Sequence, residues 1–142
     1  MNDFPSLDGL RILMVDDNID TLELVAVILS QYGTEVITAA SVAEALEALA
    51  QFVPDILISD IAMPGEDGYS LIRQVRALEG FQARVLPAIA LTAYAGEAER
   101  VLALEAGFQM HVSKPVDPFE LVAVVASLAT PQLANLNAEN TA

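Results

Sequence analysis

Five short apolar runs, each followed by a stretch of helical periodicity, limit what this chain can become more than any other feature. Residues 10–15, Leu-Arg-Ile-Leu-Met-Val, read as a first strand, and Val36-Ile37 lie in a second. Ile56-Leu57-Ile58 is a third, introduced by Pro54. Residues 85–91 give a fourth, with Pro87 near its start where a strand tolerates it. Phe108 to Val112 form a short fifth. Strands that are apolar throughout, alternating with helices, argue for a parallel sheet covered on both faces. With right-handed crossovers, the simplest build is an α/β doubly wound five-stranded sheet.

The intervening segments carry helix signals of their own. Asn18 can cap a helix whose buried face is Leu22, Val25, Ala26 and Leu29, and Gly33 ends it. Ser41-Val42-Ala43-Glu44 has the form of a capping box, followed by Val42, Ala45, Leu46 and Leu49 on one face. Asp67-Gly68 opens a third helix expected to bury Leu71, Ile72, Val75 and Leu78. An alanine-rich helix covers about 96–106 and stops at Gly107. Asp117-Pro118-Phe119-Glu120 then starts a fifth, with Leu121, Val124, Val125 and Leu128 inward. The expected layout is a short N-terminal extension over 1–9, one domain over 10–128 and a loosely ordered tail over 129–142.

Composition removes whole classes of function. The chain has no cysteine, which excludes disulfide frameworks, thiol catalysis and cysteine-based zinc sites. Its net charge of −14, from 20 acids against six bases, would repel duplex DNA, so no nucleic-acid partner is expected. No apolar run approaches the ~20 residues of a membrane span, and Met1 to Gly9 lack a signal pattern, so a cytoplasmic protein is expected. The single lysine, Lys114, lies three residues after the single histidine, His111. A lone lysine is not there for general solvation.

The polar residues of interest fall at one edge of the expected sheet. Asp16-Asp17 end the first strand, Asp60 the third and Thr92 the fourth, while Lys114 follows the fifth. The carboxyl ends of parallel strands point the same way, so these groups share the crevice where open α/β sheets bind ligands. Each has an ordinary reading when taken alone, but those readings would all have to hold at once. Of three ionised carboxylates side by side, one would take up a proton unless a cation intervened, and oxygen ligands with room for water and phosphate suit Mg²⁺ or Mn²⁺. A metal and Lys114 would neutralise phosphoryl oxygens, Thr92 could hydrogen-bond one of them, and a carboxylate could serve as the nucleophile.

Taken together, Val15-Asp16-Asp17-Asn18, Ser59-Asp60-Ile61-Ala62-Met63-Pro64 with Asp67-Gly68, Leu91-Thr92-Ala93 and Lys114-Pro115 are highly specific. The chain resembles the receiver domain of two-component response regulators over about residues 10–128, which implies the (βα)5 flavodoxin-like fold. The resemblance implies that Asp60 accepts a phosphoryl group from a phosphohistidine on a sensor histidine kinase or phosphotransfer protein. It makes Asp17, Asp60 and the backbone carbonyl of Ala62 direct metal ligands, with Asp16 acting largely through a metal-bound water. Lys114 would pair with Asp60 and then with the phosphoryl group, and the Lys114–Pro115 peptide would be cis. Thr92 would move toward the phosphate and shift the surface of the fourth helix, fifth strand and fifth helix, for a downstream protein partner.

Two positions depart from the family. Receivers usually have Tyr or Phe three residues before the lysine, where this chain has His111. His111 could rotate as a switch, with added pH sensitivity, or be a plain strand-edge histidine, and both readings stand. Tyr94, two residues after Thr92, is a second candidate for the aromatic part of the switch. Ala62 leaves water access to Asp60 open but brings no group to orient that water.

The first reading is therefore a phosphorylatable receiver without an output domain in this chain, either free-standing or from a hybrid kinase. The run Leu91-Thr92-Ala93-Tyr94-Ala95 and the Asp117-Pro118 start look most like hybrid-kinase receivers. A turnover enzyme is not expected: a phosphatase with an aspartate nucleophile needs an acid two residues later, where Ala62 stands. A Gly-x-Gly-x-x-Gly after the first strand is absent, which removes a dinucleotide site. The alternative is a receiver-like binding module that is not phosphorylated. Receivers often dimerise, which leaves a homodimer open.

Overall fold

A computed structural model describes residues 7–63, 65–79, 85–93 and 96–140 of the chain. Its elements run β1 (Arg11–Val15), α1 (Ile19–Ser30), β2 (Glu35–Ala39), α2 (Val42–Gln51), β3 (Ile56–Asp60), α3 (Gly68–Glu79), β4 (Ala88–Thr92), α4 (Glu97–Ala106), β5 (Met110–Ser113) and α5 (Pro118–Asn140). The strands form one parallel sheet in the order β2-β1-β3-β4-β5. The doubly wound arrangement expected from the alternation is the one observed.

Burial follows the pleat. Every residue of β3 and β4 is buried, as central strands covered on both faces must be. Successive side chains point to opposite faces, which divides the core in two. Ile12, Met14, Ile58 and Leu91 pack with Leu22, Val25 and Leu29 of α1 and with Leu121 and Val125 of α5. Leu13, Val15, Leu57 and Ala90 pack with Ala45 of α2, with Leu71, Ile72 and Val75 of α3, and with Ala103 of α4. The edge strand β2 exposes Glu35 and Thr38.

The helix starts use side-chain caps where the sequence placed them. Asn18 accepts a hydrogen bond from the Thr21 amide at 3.2 Å, and Asp117 one from the Phe119 amide at 2.9 Å. Ser41 accepts from Glu44 N–H at 3.1 Å, while the Glu44 carboxylate reaches back to the Ala40 amide at 3.3 Å. Gly107 ends α4 with φ 126°, a conformation L side chains rarely adopt.

Several expectations are corrected. Leu78, assigned to the buried stripe of α3, is 56% exposed, because periodicity assigns a face but not where the opposing surface stops. Ala26 of α1 and Val124 and Leu128 of α5 are half-buried, and Ile28, Val122, Ala126 and Ala129 take the fully buried places. The fourth strand starts at Ala88, leaving Val85 outside it and 60% exposed. Leu7, within the presumed N-terminal extension, is fully buried in the core. The backbone expected to be loose from residue 129 continues as helix to Asn140. Among the described residues, no helix is long and apolar enough to cross a membrane.

Candidate phosphoryl-acceptor site

The register of the sheet brings the expected residues together. Asp16 directly follows β1, and its backbone N–H bonds the Ala39 carbonyl at 3.1 Å, continuing the ladder with β2. Its side chain is wholly buried. One carboxylate oxygen, Oδ1, accepts the Asn18 amide at 2.9 Å, and Oδ2 has no partner among the described residues except the Lys114 ammonium, 2.9 Å away. Asp60 ends β3, is 4% exposed, and has its Oδ1 3.3 Å from the same ammonium. Lys114 enters from the end of β5, where its backbone N–H bonds the Thr92 carbonyl at 2.8 Å. Thr92 is itself buried at the end of β4. The Lys114–Pro115 peptide is cis.

Asp17 is exposed at the rim, yet carboxylate oxygens of Asp16, Asp17 and Asp60 all lie within 4.8 Å of one another. Three acids thus cluster where one ammonium binds two of them. Burial raises the pKa of Asp60, and the neighbouring Asp16 raises it further, while Lys114 and the Ala62 N–H pull it partly back. For Lys114, burial alone would lower the pKa, but hydrogen bonds and charges of Asp16 and Asp60 outweigh it and hold the ammonium protonated. The donor set is all oxygen, converges on one point and carries excess negative charge. It therefore fits a hard divalent cation such as Mg²⁺ or Mn²⁺.

That electrostatic cost has a measurable sign. The folded pKa of Asp60 lies above the ordinary carboxylate value. Its contribution to stability is therefore intact below about pH 4 and is lost as pH rises through the folded pKa. With metal chelated, Asp60→Asn should gain stability over the wild type as pH rises from about 4, then level off. Urea unfolding across that range checks this, and a wild type that gains on the variant would contradict it.

The start of α3 lies directly against the end of β3. Gly68 donates its N–H to the Ile61 carbonyl at 2.9 Å, and a Cβ at Gly68 would lie 2.3 Å from the Asp60 carbonyl oxygen. Gly68 is therefore more than the helix opener read from the sequence: it lets α3 start directly on the acid-bearing backbone. Asp67 accepts the Ser70 amide at 2.9 Å. Glu66 Oε2 accepts from Ser70 Oγ at 2.7 Å and from Gln74 Nε2 at 2.8 Å. This stripe was not identified in the sequence; its signal is polar residues spaced by four across the helix start.

Residues 12–126 match the family profile of the response regulator receiver domain. The chain belongs to the response regulator receiver family. A Leptolyngbya boryana protein described as an uncharacterized 14.6 kDa protein is 46% identical over 120 residues, covering 84% of this chain and 90% of that one. Response regulator Rre1 of Synechocystis is 36% identical over 132 residues, covering 92% of this chain and 56% of Rre1. Among solved structures, Vibrio cholerae chemotaxis protein CheY4 superposes with TM-score 0.77 at 28% identity, over 84% of this chain and 98% of CheY4. A CheY-like receiver domain protein from Methanospirillum hungatei gives TM-score 0.77 at 29% identity, over 88% and 97% of the two chains. This receiver thus spans most of the Leptolyngbya protein but little more than half of Rre1.

Of the candidate switch residues, Thr92 ends β4 beside Lys114 and His111 lies on β5. His111 lies opposite Ala90 in the β4–β5 register, half-buried, and lines a groove between α4 and β5 with Arg100, Leu104 and Met110. Tyr94 and Pro64 lie outside the described residues.

Proposed function

We propose that this receiver accepts a phosphoryl group from a phosphohistidine of a sensor kinase or phosphotransfer protein, on Asp60. The observation that carries the reading is one ammonium shared by two buried carboxylates, Asp16 and Asp60, at the carboxyl edge of the sheet, with Asp17 within reach. Asp17, Asp60 and the Ala62 carbonyl would hold Mg²⁺ or Mn²⁺, with Asp16 acting through its water. When bound, the cation supplies neutralisation of phosphoryl charge.

The chain's own residues do the rest. An oxygen of Asp60 attacks phosphorus as the P–N bond to the donor imidazole breaks, giving an aspartyl phosphate and a histidine that keeps the bonding pair. Lys114 moves its charge from the Asp60 carboxylate to the new phosphoryl oxygens. Thr92 donates its hydroxyl to one of them and draws the β4–α4 loop inward, shifting the α4, β5 and α5 surface toward a downstream protein partner. His111 or Tyr94 follows that movement. The protein is a stoichiometric relay, formed and discharged once per signal, rather than a turnover enzyme.

Borohydride reduction after exposure to acetyl phosphate and Mg²⁺ tests the acceptor. The reading expects homoserine at position 60 in the peptide map; homoserine at another position, or none, would overturn it.

A further inference from the structure

The β3–α3 loop must hold Ala62 in place, yet its outer part has little core to rest on. Met63 is buried, but Ala62, Gly65 and Glu66 are exposed, and a Cβ at Gly65 would meet nothing within 4 Å. Gly65 also carries φ +80°, so the turn depends on a conformation that costs other residues energy. At its far end Gly68 is fixed against the Asp60 and Ile61 backbone. Between these points the loop is tied down by side chains.

Those ties form a closed triangle. Glu66 Oε2 receives the Ser70 hydroxyl at 2.7 Å and the Gln74 amide at 2.8 Å, while the same Gln74 amide also donates to Ser70 Oγ at 3.2 Å. Residues 66, 70 and 74 are spaced by four, so Glu66 lies one turn ahead of Ser70 along the stripe. Both bonds to the carboxylate are charge-assisted, and one acceptor oxygen takes two donors from the first two turns of α3. We propose that Glu66, clamped by Ser70 and Gln74, is a positioning residue that holds the β3–α3 loop, and with it the Ala62 carbonyl, for the cation. This rests on the receiver reading given above.

A simple helix-capping role would leave metal binding untouched, and so would a clamp that fixed nothing. Outer partners that orient metal ligands change affinity by about 10–100-fold when removed, and an exposed clamp acts at or below the lower end. In Glu66→Ala, the Mg²⁺ dissociation constant measured by calorimetry should rise about threefold to tenfold. In Glu66→Gln, which loses the charge but keeps an acceptor oxygen for both donors, it should stay within about twofold of the wild type. Gln74→Ala, which alters no charge, should fall between them.

Amide hydrogen exchange in chelator reads the loop independently of metal. Glu66→Ala should speed exchange at the amides of residues 62, 63 and 65–67 while leaving the α3 interior, from Ile72 onward, unchanged. Unaltered exchange at those amides overturns the clamp. Wild type that binds Mg²⁺ with Glu66→Ala equal to it also overturns the clamp, leaving the receiver reading intact. Glu66→Gln as weak as Glu66→Ala shows a pure charge effect and overturns it as well. Wild type that shows no Mg²⁺ heat sensitive to Asp60→Asn overturns the receiver reading and the proposal together.

Discussion

Lys114→Ala is expected to destabilise the metal-free protein by about 2–3 kcal/mol at neutral pH. The ammonium is the link between Asp16, fully buried, and Asp60, nearly so, at 2.9 and 3.3 Å. Removing it leaves Asp16 Oδ2 with no partner among the described residues and two like charges facing each other. Breaking a fully buried pair costs about 3–5 kcal/mol, and the lysine side chain is 24% exposed, which places the effect below that range. At this chain length the melting temperature should fall by roughly 10 °C. Two controls separate this from lost packing. Saturating Mg²⁺ should narrow the gap to the wild type, because the cation substitutes for the missing charge. Lowering the pH so that Asp60 takes up a proton should narrow it too. A gap that neither condition changes would mean that Lys114 stabilises by its aliphatic stem alone.

Gly68→Ala should cost about 3 kcal/mol, for a steric rather than an electrostatic reason. The added carbon would sit 2.3 Å from the Asp60 carbonyl oxygen and 2.9 Å from the Ile61 Cα, both backbone atoms that cannot rotate away. The start of α3 must lift, moving Asp60 and Ala62 with it. Gly65→Ala is the matched control. Its Cβ meets nothing, so only its positive φ is penalised, at about 1–2 kcal/mol. Thermal melts of the two variants should rank them in that order, with Mg²⁺ affinity reduced in Gly68→Ala. Equal losses would show that the close approach at Gly68 relaxes freely.

These effects mark how far the sequence could be read. Strand–helix alternation was enough for a parallel sheet covered on both faces, and aligned strand ends were enough to gather Asp16, Asp17, Asp60, Thr92 and Lys114. Both follow from rules of period and direction that need no atomic detail. What stayed hidden depends on distances between segments remote in sequence. Lys114 pairs with Asp60 at 3.3 Å, as the sequence reading expects, but its closer contact, Asp16 at 2.9 Å, is not in that reading. The close approach of Gly68 to Asp60 spans the seven loop residues 61–67 and shows only when the turn is built. Leu78 carries the stripe signal and Val85 the strand signal to positions that are 56% and 60% exposed.

The central claim is that Asp60 carries phosphate by metal-dependent chemistry. The most direct measurement is intact mass after incubation with acetyl phosphate, with and without Mg²⁺, for the wild type and Asp60→Asn. A single phosphoryl adduct that requires the cation and is absent from the variant is the predicted result. No adduct in the wild type, or an equal adduct in Asp60→Asn, would contradict it and leave a receiver fold that works by binding alone.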